Sequence, residues 1–174
     1  MVEIDIKSPH YLHAAKSWMA DGHNVGVISE SGMPSIADPG SEIIKYAHQN
    51  NYMVKPLSGP SSIFLALAAS GMNGQNFCFR GYLPIKDAQL KKELNSLESI
   101  IKKTRQSQVF IETPYRNDRL FKFITSTVDR KLMLCIAKDI TGDFELIKTK
   151  SIADWKSDNE FSIGKYPCIF ILGH

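Results

Sequence analysis

The chain has 174 residues, enough for one domain or two small ones with a sizeable buried core. Hydrophobic residues make up 43% and charged residues 22%, with a net charge of +3; this excludes a disordered or collagen-like chain and permits a nucleic-acid partner without requiring one. Three widely spaced cysteines (Cys78, Cys135, Cys168) with no C-x-x-C pair exclude a disulfide framework and a zinc ribbon, and no apolar run reaches the roughly 20 residues of a membrane span.

In chain order, Met1–Ser8 alternates apolar and charged residues and predicts a half-exposed strand. Glu3, Asp5 and Lys7 in it argue against a signal peptide. Ser8-Pro9 opens a helix to Ala20, with Leu12, Ala15, Trp18 and Met19 as the expected apolar stripe and Asp21-Gly22 as its end. Val25–Ile28 reads as a buried strand, Ser41–Gln49 as an amphipathic helix and Tyr52–Pro56 as the next strand. This is a β-α-β grammar that predicts parallel neighbours. Two prolines and a glycine in Pro56–Pro60 mark the domain boundary, giving 1–57 and 58–174. Ser61–Ser70 is apolar nearly all round and predicts a helix buried between layers.

Phe77–Leu83 alternates like a strand, and Asp87–Thr104 is a long helix striped by Leu90, Leu94, Leu97 and Ile101. Its lysines (Lys91, Lys92, Lys102, Lys103) suit a solvated face first and phosphate contacts second. Gln108–Glu112, Lys131–Ala137, Phe144–Lys150 and Pro167–Leu172 are further strands, with helical segments at Tyr115–Val128 and Ile152–Lys156. The expected class is α/β, with two α/β layers: a partial parallel N-terminal sheet and a mixed C-terminal one.

The loop from Ser29 to Gly40, punctuated by Gly32, Pro34, Pro39 and Gly40, joins a strand to a helix, the position where open α/β sheets bind ligands. Spacing alone favours an ordinary connection. The five histidines lie near the chain's start or at its end without ligand-like spacing, and no metal is expected.

Five segments in order carry a resemblance. They are Ser29-Glu30-Ser31-Gly32-Met33-Pro34-Ser35-Ile36-Ala37-Asp38-Pro39-Gly40, Pro56–Ser62, Gly81–Pro84, Glu112-Thr113-Pro114-Tyr115-Arg116 and Ala137–Thr141. Together the chain resembles the tetrapyrrole methylase-like (class III) S-adenosylmethionine methyltransferases. It is most similar to the branch that 2′-O-methylates a cytidine ribose of small-subunit ribosomal RNA. The resemblance implies S-adenosyl-L-methionine as cofactor, ribosomal RNA as substrate, a cytoplasmic homodimer, and no membrane. It implies that Gly32, Met33, Pro34, Ile36 and Ala37 form one wall of the cofactor cleft, with Ser61 and Ser62 as another. Ala137 and Pro167 match positions near the adenine, with core packing as the equal alternative.

On the acceptor side Glu112 and Arg116 are the candidates, with Glu30 and Lys138 at the rim. Arg116 would hold a phosphate. Glu112 would act on the acceptor or pair with Arg116 structurally. Glu112, Glu30, Lys138 and water are all open as the base for the 2′-hydroxyl. The family's usual Asp is Glu30 here, its usual Thr is Met33, and its usual His is Tyr115. Members also carry an N-terminal segment with a G-N-L-x-D-I-T stretch before the point where this chain starts. A fragment, a misplaced start and reliance on a partner are the alternatives. Methylation of a tetrapyrrole by the same fold, and a catalytically silent interaction module, are the rival functions.

Overall fold

Tyr11, Ala15 and Met19 are spaced one helical turn apart on α1 (His10–Ala20) and form its buried face. The computed structural model describes residues 2–5, 8 and 10–174. They fall into two units, Met1–Ser61 and Ser62–His174. The expected strand over Met1–Ser8 and the helix start at Pro9 lie, at Met1, Ile6, Lys7 and Pro9, outside the described residues.

In the first unit α1 packs with α2 (Ser41–Gln49) through Tyr11, Ala15, Met19, Ile43 and Ala47. The expected α1 stripe is therefore rotated: Trp18 is 38% exposed, and Tyr11 takes the inward place that Leu12 was expected to fill. Tyr11 can go inside because its hydroxyl donates to Glu42 Oε2 at 2.9 Å on α2, which removes the cost of burying a polar tip.

The two strands expected here are extended but carry no ladder among the described residues. Burial still alternates along both, with Val25, Val27, Tyr52 and Val54 inward and Ile28 and Met53 outward. The period of two sets which side chains face the helices, whereas a ladder also needs a neighbouring strand about 4.8 Å away. The expected parallel N-terminal sheet is thus corrected to two extended segments packed on two helices.

The second unit holds α3 (Ser62–Ala69), β1 (Phe77–Tyr82), α4 (Asp87–Thr104), β2 (Ser107–Glu112), a 3-10 turn (Pro114–Arg116), α5 (Asn117–Thr127), β3 (Met133–Lys138), β4 (Leu146–Ser151), α6 (Ile152–Ser157) and β5 (Cys168–Gly173). Its sheet runs β1-β2-β5-β3-β4. β1 and β2 are parallel, while β5 is antiparallel to both β2 and β3, so the sheet is mixed as expected.

α4, α5 and α6 cover one face, burying Leu90, Leu94, Leu97 and Ile101 against Phe110, Leu134 and Phe170. Each such side chain contributes on the order of 1.5–3 kcal/mol by leaving water. α3 covers the other face, on Val109, Cys135, Ala137, Ile169 and Ile171. It is not buried all round: Ile63, Ala66 and Leu67 face the sheet, while Phe64 and Leu65 are 52% and 41% exposed. A single helix on a sheet can bury only one stripe, and apolar composition does not alter that. Cys135 and Cys168 are buried thiols, but Cys78 on β1 is only half-buried.

Candidate functional site

In the first unit the site is the loop between Ile28 and α2. Its backbone enters the left-handed region at Gly32 (φ 75°), Ser35 (φ 66°), Ala37 (φ 58°) and Gly40 (φ 128°). Ser35 and Ala37 hold that conformation at a cost of about 1–2 kcal/mol each, strain of a kind that clusters in binding loops. Nothing in the residue types of Ser35 and Ala37 announces it.

Two short contacts set the shape. Ser29 Oγ donates to the Ser31 carbonyl at 2.9 Å, and the Ile36 amide donates to the Met33 carbonyl at 3.3 Å. At Gly40 a Cβ would lie 2.8 Å from Ser35 Oγ and 3.0 Å from Val27 Cγ1, so the loop folds back tightly there. Beside it is a cleft of about 960 Å³, lined by Ile4, Tyr11, Val27, Ser29, Glu30 and Asp38 among others. The hydrogen bond to Glu42, aided by burial, raises the Tyr11 phenol above its ordinary pKa and keeps it protonated in the cleft wall.

Ser29, Glu30, Ser31, Asp38 and Pro39 of the loop line that cleft, whereas Gly32, Met33, Pro34, Ile36 and Ala37, the expected cofactor wall, lie outside its lining. Gly32, Ile36 and Ala37 are exposed, Met33 and Pro34 half-buried, and the turn-rich backbone belongs to no ladder. Ser61 is buried at the end of the first unit. Ser62 is the exposed first residue of α3 in the second.

In the second unit the carboxyl ends of β2 and β3 meet the amino end of β5: Glu112 and Lys138 both stand in register with Cys168. Glu112 is 9% exposed. Its Oε1 accepts from Arg116 Nε at 3.0 Å, from an Arg116 terminal nitrogen at 2.5 Å and from the Thr113 amide at 2.6 Å. Glu112 and Arg116 thus form the ion pair that their spacing allows. Thr113 Oγ1 adds a further bond to Arg116 Nε at 3.1 Å. Pro114 opens the 3-10 turn, where its missing N–H and fixed φ suit the first position.

Behind the turn, buried Asn117 donates to the Tyr166 carbonyl at 2.7 Å. Asp118 accepts the Ile163 amide at 2.7 Å, the Gly164 amide at 3.3 Å and the Ser162 hydroxyl at 3.0 Å. These two residues, which the sequence did not single out, fix the segment before β5. Lys138 Nζ sits 4.9 Å over the Tyr166 ring, and Lys165 Nζ sits 5.4 Å over the Tyr115 ring.

Ala137 is fully buried, and its backbone lies in register with both Ile147 and Ile169, so its side chain is core. Pro167 is exposed, and its carbonyl accepts the Asp139 amide at 2.9 Å, which places it beside the end of β3. Burial raises the thiol pKa of both Cys135 and Cys168, so neither is a nucleophile near neutrality.

Of the expected residues, then, the structure brings together Glu112 with Arg116, and Glu30 with Gly32–Ala37 in one loop, while Ala137 and Pro167 stand on neighbouring strand ends without a direct contact in the ladder. The lysines of α4 divide: Lys102 is bound to Glu98 and Asp129, while Lys91 and Lys92 face solvent.

Residues 13–155 match the family described as Tetrapyrrole (Corrin/Porphyrin) Methylases. Ribosomal RNA small subunit methyltransferase I of Buchnera aphidicola subsp. Schizaphis graminum is 32% identical over 154 residues, covering 87% of this chain and 53% of that protein. The protein of the same name from Bacillus subtilis (strain 168) is 29% identical over 165 residues, covering 92% of this chain and 54% of its own. The chain spans about half the length of these relatives.

Among solved structures, the methyltransferase CobJ superposes with a TM-score of 0.64 at 16% identity, over 99% of this chain and 73% of its own. Diphthine synthase gives 0.63 at 12% identity, over 99% and 68%. The uroporphyrin-III C-methyl transferase from Thermus thermophilus complexed with S-adenyl homocysteine gives 0.53 at 16% identity, over 99% and 76%. These likenesses show the fold.

Proposed function

We infer the function from one premise: the chain belongs to the tetrapyrrole (corrin/porphyrin) methylase family, whose signature spans residues 13–155. The chain acts as part of an S-adenosyl-L-methionine-dependent methyltransferase that methylates the 2′-oxygen of a cytidine ribose in small-subunit ribosomal RNA. The carrying observation is the 32% identity to a relative named for ribosomal RNA, against 16% or less to the superposed tetrapyrrole and diphthine enzymes. The reading includes a cytoplasmic chain that pairs with a second copy. Residues 1–57 and 58–174 serve as its two domains. Among the described residues no helix is long and apolar enough to cross a membrane.

Gly32, Met33, Pro34, Ile36 and Ala37 would hold the cofactor by backbone groups and the exposed Ile36 side chain. Ser61 at the end of the first unit, and Ser62, Ala137 and Pro167 in the second, are the other cofactor residues that the resemblance carries over. When bound, the cofactor supplies an electrophilic methyl on a good leaving group, so alignment of the acceptor carries most of the rate. Glu112 holds Arg116 in one orientation, and Arg116 orients an RNA phosphate with the part of its guanidinium that faces solvent. Glu112 Oε1 is filled by three donors, which fixes the carboxylate and with it the Arg116 guanidinium. Glu30 is exposed on the first-unit loop, and as the more accessible carboxylate it is the one assigned to the 2′-hydroxyl proton, ahead of Glu112, Lys138 and water.

Calorimetric titration of S-adenosylhomocysteine, followed by tritiated methyl transfer to 16S ribosomal RNA in small subunits, tests this reading. Label on a cytidine ribose is the expected result. Label on a tetrapyrrole but not on RNA would overturn it.

A further inference from the structure

Tyr115 is a tyrosine placed where it does nothing for the core. Its ring is 81% exposed, although it stands in a turn whose backbone is fixed on both sides. Pro114 precedes it, the Arg116 amide donates to the Thr113 carbonyl at 2.9 Å, and the Arg116 side chain is locked onto Glu112. The ring is thus held out on a rigid stem. One face is taken by Lys165, whose Nζ lies 5.4 Å from the ring centre, and the exposure leaves the other face open.

Lys165 is also rigidly carried. Asn117 and Asp118 tie down the backbone on both sides of it, through the Tyr166 carbonyl and the Ile163 and Gly164 amides. The next residue repeats the motif, with Lys138 over the Tyr166 ring at 4.9 Å. Glu112 is paired with Arg116, and the Asp118 carboxylate is turned onto the Ile163 and Gly164 amides, which leaves Lys138 and Lys165 as the charges lying against the rings. Rigid rings interleaved with cations suit an unpaired nucleotide, whose base has a π-face and whose phosphate is anionic.

We propose that Tyr115 stacks an unpaired RNA base on its open face while Lys165 neutralises the adjoining phosphate, so that this turn selects single-stranded over duplex RNA. This rests on the RNA-methyltransferase reading above and names a contact that reading does not contain.

The test is fluorescence anisotropy of the whole chain with a fluorescein-labelled single-stranded oligocytidylate, alongside the same measurements on Tyr115→Leu, Tyr115→Phe and Lys165→Gln. Thermal melts show that the variants fold. Tyr115→Leu should weaken binding roughly five- to a hundredfold, the range for loss of one stacked base, while Tyr115→Phe stays near the unaltered chain. Lys165→Gln should reduce the salt slope by about 0.7, one phosphate on a single strand. An unlabelled duplex of the same length should compete poorly. Equal binding by Tyr115→Leu and the unaltered chain would overturn the stacking proposal and leave the RNA reading standing. No binding by the unaltered chain would overturn the RNA reading, and this proposal with it.

Discussion

Arg116 reaches back four residues and closes both Nε and a terminal nitrogen onto the same carboxylate oxygen of Glu112, at 3.0 and 2.5 Å. The side chains are 27% and 6% exposed, so the carboxylate is the buried partner. Removing Arg116 leaves Glu112 charged and nearly dry, and a lost hydrogen bond to a charged group costs about 1.5–3 kcal/mol. Arg116→Ala should therefore lower the melting temperature of the second unit by several degrees as well as weaken RNA binding. Arg116→Lys, a point charge without the planar fork, should recover only part of the stability. An unchanged melting temperature for Arg116→Ala would mean that the pair contributes nothing to the fold.

The two tryptophans report on the two units separately. Trp18 is 38% exposed on α1, while Trp155 is 1% exposed and donates from Nε1 to the Leu134 carbonyl at 2.7 Å. Among the described residues the first unit buries five core side chains, and the main cluster of the second buries nineteen. The first unit should therefore unfold at lower urea. Trp155→Phe, which leaves Trp18 as the reporter, should show the earlier transition, and Trp18→Phe the later one. Iodide should quench Trp18 and spare Trp155 in the native protein. Coincident transitions from both variants would contradict this order.

The contrast between units also marks what could be read from sequence. Asp87–Thr104 was legible to the residue because Leu90, Leu94, Leu97 and Ile101 fall on one stripe and, Ile100 apart, everything between them is polar. The segments at Val25–Ile28 and Tyr52–Lys55 were legible as strand-like, but neither the exposure of Ile28 and Met53 nor the lack of a ladder was, since packing and hydrogen-bond partners lie outside any local pattern. The face of α1 was misplaced because Glu42, far along the chain, decides whether Tyr11 can be buried. Local pattern left open whether Glu112 pairs with Arg116, and only the packed structure shows the pair. The stacking of Lys165 over Tyr115 had no local signal at all.

Acid should release the end of α4. Lys102 binds Glu98 at 2.7 Å and Asp129 at 2.6 Å, with Lys102 48% and Asp129 29% exposed. The bond from Lys102, and next the Lys131 amide, hold Asp129 below its ordinary 3.8. Its contribution is present above 3.8 and lost as pH falls through the lower folded value. Bonds to Asp129 and then Glu98 raise Lys102 above 10.5, so its contribution is present below 10.5 and lost as pH rises through the higher folded value. Asp129→Asn should remove part of the acid loss, read as a flatter fall in urea midpoint towards about pH 3. The difference should shrink in high salt, because the pair is exposed. Identical acid limbs for Asp129→Asn and the unaltered chain would refute the linkage.

The loop before α2 holds two glycines that look alike in sequence. Gly32 sits at φ 75° with nothing within 4 Å of a Cβ, so Gly32→Ala meets only the left-handed penalty, about 1–2 kcal/mol. Gly40 sits at φ 128° with Ser35 Oγ 2.8 Å and Val27 Cγ1 3.0 Å from a Cβ, and its carbonyl accepts the Ile43 amide at 3.0 Å to start α2. An alanine there must move Ser35 or Val27 and disturb that first turn. Gly40→Ala should cost more than about 2 kcal/mol, the strained backbone and the close contacts adding together. Trp18 emission in urea should rank the variants, with Gly40→Ala unfolding first, then Gly32→Ala, then the unaltered chain. A reversed order of the two alanines would mean that space, and not only backbone angle, governs Gly32, and that the loop closes differently around it.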